Sequence, residues 1–114
     1  QLKHIIIITA ILSGFLMGQK SQLKNVKVLP FKTKREIVTF MKTIVAPELG
    51  VKCNFCHNMN DYSSDEKDNK IVAREMMDMV QQSNKTMNEL NFHEISCWVC
   101  HRGNKHPEHP PKEK

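Results

Sequence analysis

Two five-residue runs, Cys53-Asn54-Phe55-Cys56-His57 and Cys97-Trp98-Val99-Cys100-His101, repeat one pattern, C-x-x-C-H, and together use all four cysteines of the chain. This is the pattern of covalent c-type haem attachment. The two thiols form thioethers to the porphyrin vinyl groups, and the adjacent imidazole reaches the iron from the proximal face. Rival chemistries explain less. A zinc ribbon also pairs C-x-x-C units, but 40 residues separate Cys56 from Cys97, against a usual gap of about 15–20, and zinc gives no reason for a histidine after both pairs. With six His among 114 residues, chance would place one after a given pair about 5% of the time and after both about 0.3%. A thioredoxin-like redox pair needs a βαβ context, and disulfide staples leave both histidines unexplained.

Composition agrees with a prosthetic group. A chain of 114 residues forms one small domain, and 39% hydrophobic with 6% aromatic residues is a thin supply for a core made of protein alone. Seventeen Lys+Arg against twelve Asp+Glu leave a net charge of +5, a sign compatible with nucleic acid, an anionic membrane surface or an acidic partner. Haem propionates would consume part of that charge, so no nucleic-acid partner is expected. The 25% charged residues and five prolines exclude a disordered polyelectrolyte, and neither a GxxxxGK[ST] nor a GxGxxG stretch offers a nucleotide site.

Working outward from the motifs, each is preceded by a helical pattern. Thr33-Lys34-Arg35-Glu36 is a capping box that opens a helix with apolar positions Ile37, Phe40, Met41, Ile44 and Val45, expected to stop at Pro47. Residues 48–52, with Gly50, then turn into the first motif. After the polar segment 58–68, where Ser63, Ser64 and Asp65 offer N-caps, a longer helix is predicted over about residues 66–90. Its seam is Val72, Met76, Met79, Val80, Ser83, Met87 and Leu90. Residues 91–96 turn into the second motif. Upstream, residues 23–32 read as an extended lead-in closed by Pro30. The fold expected is therefore mostly α: two helix-turn-CxxCH units in a domain over 23–104, an N-terminal apolar helix within 1–22, and a Pro/Lys-rich surface tail over 105–114.

The N-terminal segment has two readings. Lys3 and His4 precede Ile5 to Met17, a 13-residue apolar run in the range of a signal-peptide core. As a helix, 2–18 would be about 25 Å long, slightly short of a hydrocarbon core of about 30 Å. No clean A-x-A cleavage pattern follows Leu16-Met17-Gly18, which favours a retained anchor in a thinned bilayer or beside a partner helix. Lys20, Lys24 and Lys27 then sit on the outer side, against the positive-inside tendency. Covalent c-haem attachment is extracytoplasmic, so the domain is expected on the periplasmic side of the membrane under either reading.

The two motifs supply His57 and His101 as proximal ligands and leave each sixth position to be found. Methionine is the natural candidate, since a soft thioether suits low-spin transfer haem and raises its potential. Met41 is the only methionine between the N-terminal segment and Cys53. For the second iron Met76, Met77, Met79 and Met87 compete, with Met77 turned about 100° from Met76.

The run Asn25-Val-Lys-Val-Leu-Pro30, then Leu49-Gly-Val-Lys-Cys-Asn-Phe-Cys-His57, then Val72-Ala-Arg-Glu-Met76-Met-Asp-Met79-Val, and finally Cys97-Trp-Val-Cys-His-Arg-Gly103 resemble the cytochrome c subunit of photosynthetic reaction centres. They are more closely similar to short dihaem relatives of that family in non-phototrophic bacteria. The resemblance covers about residues 25–104. It implies that each haem takes its sixth ligand from a methionine on the helix before its motif, here Met41 and Met76. Two departures stand out. The interval from Met41 to Cys53 is one residue longer than the family pattern, around Pro47. Only two of the four haems of the photosynthetic subunit have motifs, and the place of the extra histidine of its bis-His haem falls near Leu90 or Asn91, with His93 close by.

The sequence is thus read as a dihaem c-type cytochrome with His/Met-ligated irons, an electron carrier rather than an enzyme. Its cofactors are two covalent haem c groups on Cys53, Cys56, Cys97 and Cys100. Its partners are redox proteins, among them a respiratory or photosynthetic membrane complex. A dihaem peroxidase with one open iron and an accessory subunit of a larger assembly are the alternatives. Trp98 and Phe55 are expected to shield porphyrin, Arg74 and Arg102 to meet propionates or solvent, and His106 and His109 to be solvated.

Overall fold

The computed structural model describes residues 22–107. The N-terminal apolar segment expected within 1–22 and most of the tail expected over 105–114 lie outside the described residues. The described body contains helices and turns, and no strand occurs among the described residues.

Helix α1 (Lys34–Phe40) begins as the sequence predicts. Thr33 is extended, its Oγ1 accepts from the Glu36 N–H, and the Glu36 carboxylate accepts from the Thr33 N–H at 2.8 Å. This capping box satisfies two of the donors that a helix start would leave unpaired. The expectation that the helix stops at Pro47 is not met. The chain passes instead into a π-helical segment, Met41–Val45, and on into α2 (Ala46–Leu49). Proline has no N–H and its ring crowds the carbonyl four residues back. A widened turn, in which the Ala46 N–H reaches back to the Met41 carbonyl, carries the chain past it. A π turn holds one residue more than an α turn.

The stop comes at Gly50. With φ +63° it is left-handed; its N–H donates to the Pro47 carbonyl and the Val51 N–H to the Ala46 carbonyl, the paired closure of a Schellman motif. Helix α3 (Asp68–Glu89) ends in the same way, with Asn91 at φ +58° and the Phe92 N–H on the Met87 carbonyl at 2.8 Å. Its start differs from expectation. The N-cap position is Lys67, with no side-chain cap, because Asp65 is committed elsewhere. Asp65 accepts from Asn25 and Arg74, both at 2.8 Å, and pairs with Lys70 at 3.3 Å and Lys27 at 3.6 Å. Arg74 holds its carboxyl well below the usual carboxylate range, with Asn25 and Lys70 adding to the effect.

These contacts strap the lead-in across α3. Arg74 donates to the Asn25 carbonyl and Gln81 to the Val28 carbonyl, both at 3.1 Å, while Phe31 meets Phe40 at 5.2 Å between ring centroids. The side of α3 turned toward the rest of the chain therefore carries Lys70, Ala73, Arg74, Met77, Val80 and Asn84, whereas Val72, Met76, Met79 and Leu90 are exposed. The apolar seam read from the sequence is only partly the packing face: much of it lies open, because polar side chains make the ties to the lead-in. Val45 is the only buried apolar residue among the described residues.

Candidate functional site

The two motifs fold alike. The first begins in a 3-10 turn, Cys53–Phe55, and the second is the short helix α4 (Trp98–His101). In each, the histidine N–H donates to the first cysteine's carbonyl at 2.9 Å, and the second cysteine's N–H approaches the same carbonyl at 3.3 Å. One helical turn thereby brings both thiols and the imidazole to one side. No disulfide joins any two of the four cysteines. Burial pushes the Cys56 thiol up against the opposing field of Lys67, and burial followed by the Glu48 carboxylate pushes Cys97 up. Among the described residues no three His, Cys, Asp or Glu side chains converge on one point, so the pairs form two separate sites and not one four-cysteine zinc site.

Both histidine rings are oriented through Nδ1. His57 Nδ1 lies 3.0 Å from the Tyr62 carbonyl and His101 Nδ1 lies 2.8 Å from the Asn104 carbonyl. A carbonyl can only accept, so each Nδ1 carries the proton and each Nε2 keeps its lone pair, the arrangement of a ligating imidazole. Burial is the main cause holding the His57 pKa down; the Tyr62 carbonyl opposes it, and Lys70, Arg74 and Lys67 add to it. The neutral ring is the form that binds a metal.

Neighbouring side chains fix each loop. Lys67 donates to the Asn54 carbonyl and Asn69 to the Phe55 carbonyl, tying the first motif to the start of α3. Asn84 grips the second approach from both sides, donating to the Ile95 carbonyl at 2.9 Å and accepting from its N–H at 2.7 Å. The two motifs also meet through the end of α2. Glu48 accepts from the Trp98 N–H with its carboxylate and from the Gly103 N–H with its carbonyl, both at 2.8 Å. The sequence pattern offered no signal for Tyr62, Asn104, Asn84 or Glu48, since each acts across a loop or between units.

Of the methionines, Met41 is half-buried at the junction of α1 and the π segment, and Met76 is 44% exposed on the open strip of α3. A groove of about 640 Å³ between the units is lined by Phe31, Phe40, Ile44, Met77, Val80 and Cys97 among others, so Met77 shares it with a motif cysteine and Met76 does not. Arg74, offered as a propionate partner, is taken by Asp65 and the Asn25 carbonyl. Arg102 is exposed in a left-handed conformation, His93 is exposed, and Trp98 is 53% exposed where Phe55 is half-buried.

A mostly helical chain with two C-x-x-C-H turns closed by the same backbone bond, each histidine presenting Nε2, is a c-type cytochrome. The family described as Photosynthetic reaction centre cytochrome C subunit matches residues 16–111. The chain belongs to that family, whose members hold haem covalently on cysteine. It is 38% identical over 81 residues to cytochrome c-554 of Chloroflexus aurantiacus, covering 68% of this chain and 20% of that protein. The photosynthetic reaction center cytochrome c subunit of Rubrivivax gelatinosus is 38% identical over 88 residues, with 74% and 23% covered. That of Thermochromatium tepidum is 33% identical over 90 residues, with 75% and 22% covered. The matched region is therefore only about a fifth of each relative's length.

Proposed function

We propose that this chain is a dihaem electron carrier, its domain over 23–104 holding one haem at Cys53, Cys56 and His57 and a second at Cys97, Cys100 and His101. The observation that carries the reading is the pair of Nδ1 anchors on Tyr62 and Asn104, which orient both rings as ligands at the end of a thioether-forming turn. Bound haem supplies an iron that gains and loses single electrons. The protein's part is to hold each group rigidly, shield it with apolar side chains and set its potential. The exposed strip Val72, Met76 and Met79 is apolar surface of the kind that a flat ring system covers. Denaturing mass spectrometry of the native protein is expected to show the polypeptide heavier by two haem groups; a bare chain mass would sink the reading.

Met41 and Met76 are proposed as sixth ligands, which leaves no open iron and makes the protein a carrier and not an enzyme. Met76→Ala is expected to abolish the thioether-to-iron absorption of one haem, and Met79→Ala to leave it intact. The groove shared with Cys97 makes Met77 the competing ligand, so loss of that absorption in Met77→Ala alone would move the assignment by one residue. A high-spin ferric haem would instead favour a peroxidase-like site with an open iron.

Two of the relatives are named as photosynthetic reaction center cytochrome c subunits, which supports a membrane redox complex as partner, and the extracytoplasmic chemistry of haem attachment supports the periplasmic side. No helix among the described residues is long and apolar enough to cross a membrane; the proposed anchor is the apolar run 5–17, which lies outside them. The native protein is expected to stay with membranes through a high-salt wash, which removes proteins held by charge alone, and to leave with detergent. A soluble protein with its N-terminus near Gln19 to Gln22 would refute the anchor and leave the haem assignment untouched.

A further inference from the structure

The two histidine anchors are not equivalent. Lys70, in the first turn of α3, is the one buried charged residue among the described residues, 8% exposed. Its ammonium donates to the Tyr62 carbonyl at 2.9 Å and to the Ser64 carbonyl at 2.7 Å, and lies 3.3 Å from Asp65 Oδ1. The Tyr62 carbonyl is the one that accepts from His57 Nδ1 at 3.0 Å. One oxygen thus serves a buried cation with one lone pair and a haem-ligating imidazole with the other. At the second site His101 Nδ1 bonds to the Asn104 carbonyl, and among the described residues no side chain donates to that oxygen.

We propose that Lys70 is a positioning residue that raises the reduction potential of the haem held by His57 and leaves the haem held by His101 unaffected. The inference rests on the dihaem reading above. A charge-assisted donor draws electron density from the oxygen it binds, so the Tyr62 carbonyl accepts less strongly from Nδ1–H. The imidazole becomes less electron-rich and stabilises ferric iron less, which favours the reduced state; hydrogen bonding around an axial ligand is an established lever on haem potential. The surrounding charges do not cancel the effect: Asp65 faces Lys70, but it is also shared by Arg74 at 2.8 Å and Lys27 at 3.6 Å. Lys70 is the member of this cluster that touches the histidine's own acceptor.

The test is a spectroelectrochemical titration of the full dihaem protein. In Lys70→Met, one midpoint is expected to fall by about tenfold in the one-electron equilibrium, which is 59 mV, while the other stays. Lys27→Met removes the same charge from the same cluster without touching Tyr62, and is expected to shift that midpoint by less than a third as much. In the reduced protein the His57 Nδ1 proton is expected to move downfield in Lys70→Met, reporting a stronger bond to Tyr62, and Lys70→Arg is expected to restore both readings. If Lys70→Met does not assemble, Lys70→Gln keeps a donor without the charge and is expected to give a smaller shift of the same sign. Unchanged midpoints, equal shifts of both haems, or a Lys27→Met shift as large as that of Lys70→Met would overturn the proposal. A protein without two histidine-ligated haems would fail earlier, by mass and spectrum, and would overturn the dihaem reading instead.

Discussion

Replacing Cys97 and Cys100 together by serine is expected to leave a protein with one covalent haem: the denatured mass falls by one haem group and the visible absorption drops to about half. The effect is all-or-none because a thioether is a covalent bond, and a serine hydroxyl does not add to the vinyl group in its place. His101 would keep its Nδ1 anchor on Asn104, but axial ligation alone does not survive denaturation. The first site should be largely spared, since His57 is oriented by Tyr62 and its motif is tied to α3 by Lys67 and Asn69. An unchanged haem content would contradict the attachment chemistry. Loss of both groups would show that the units do not load independently.

Gly50→Ala is expected to be the most damaging single substitution outside the proposed haem ligands. A Cβ built at Gly50 would stand 2.0 Å from the Gly103 carbonyl oxygen and 3.0 Å from its carbon. Both are backbone atoms that no rotamer change can move. The left-handed φ of +63° adds about 1–2 kcal/mol of strain for a non-glycine residue. Relief requires the end of α2 to separate from the loop after His101, which breaks the Gly103 N–H bond to the Glu48 carbonyl and endangers the Trp98 N–H bond to its carboxylate. The summed cost is on the order of 3–5 kcal/mol, in the range of severe single mutations, and would appear as a large fall in the thermal unfolding midpoint. Gly103→Ala is the informative comparison. Its Cβ would meet the Trp98 ring at 3.6 Å, an ordinary contact, so strain from its φ of +80° is the main cost. A stable Gly50→Ala protein would mean that the two units are not held in contact as the structure has them.

The motifs, the capping box of Thr33 and Glu36, and the presence of two helices each leading into a C-x-x-C-H turn were legible because every one is a local relation. Cysteine and histidine at i, i+3 and i+4 act within one turn, and a cap acts within three residues. The misreadings came where a local rule competed with a distant one. Pro47 is a reliable stop by itself, yet the chain runs through it because a π turn at Met41–Val45 absorbs the missing donor and Gly50 supplies the closure three residues later. Ser63, Ser64 and Asp65 are good caps by type, but Asp65 gains more from Asn25, Lys27, Lys70 and Arg74 together than from one helix N–H. The seam of α3 was sound as a periodicity, but which side of the helix packs was decided by Arg74, Gln81 and Asn84 reaching the lead-in and the second loop.

By itself, then, the sequence determined the chemistry proposed for this protein: four cysteines and two histidines at thioether spacing, with methionines on the helices before them. Covalent attachment depends on residue type and short separation, and these survive in any fold that forms the turn. Only the tertiary structure decided what each imidazole leans on. Tyr62 for His57 and Asn104 for His101 are backbone acceptors, which residue type does not encode. The same holds for the ammonium of Lys70 on the first of them and for the Gly50–Gly103 contact that locks the units together. Such partners are chosen by chain path, and the path is set by packing among residues far apart in the sequence.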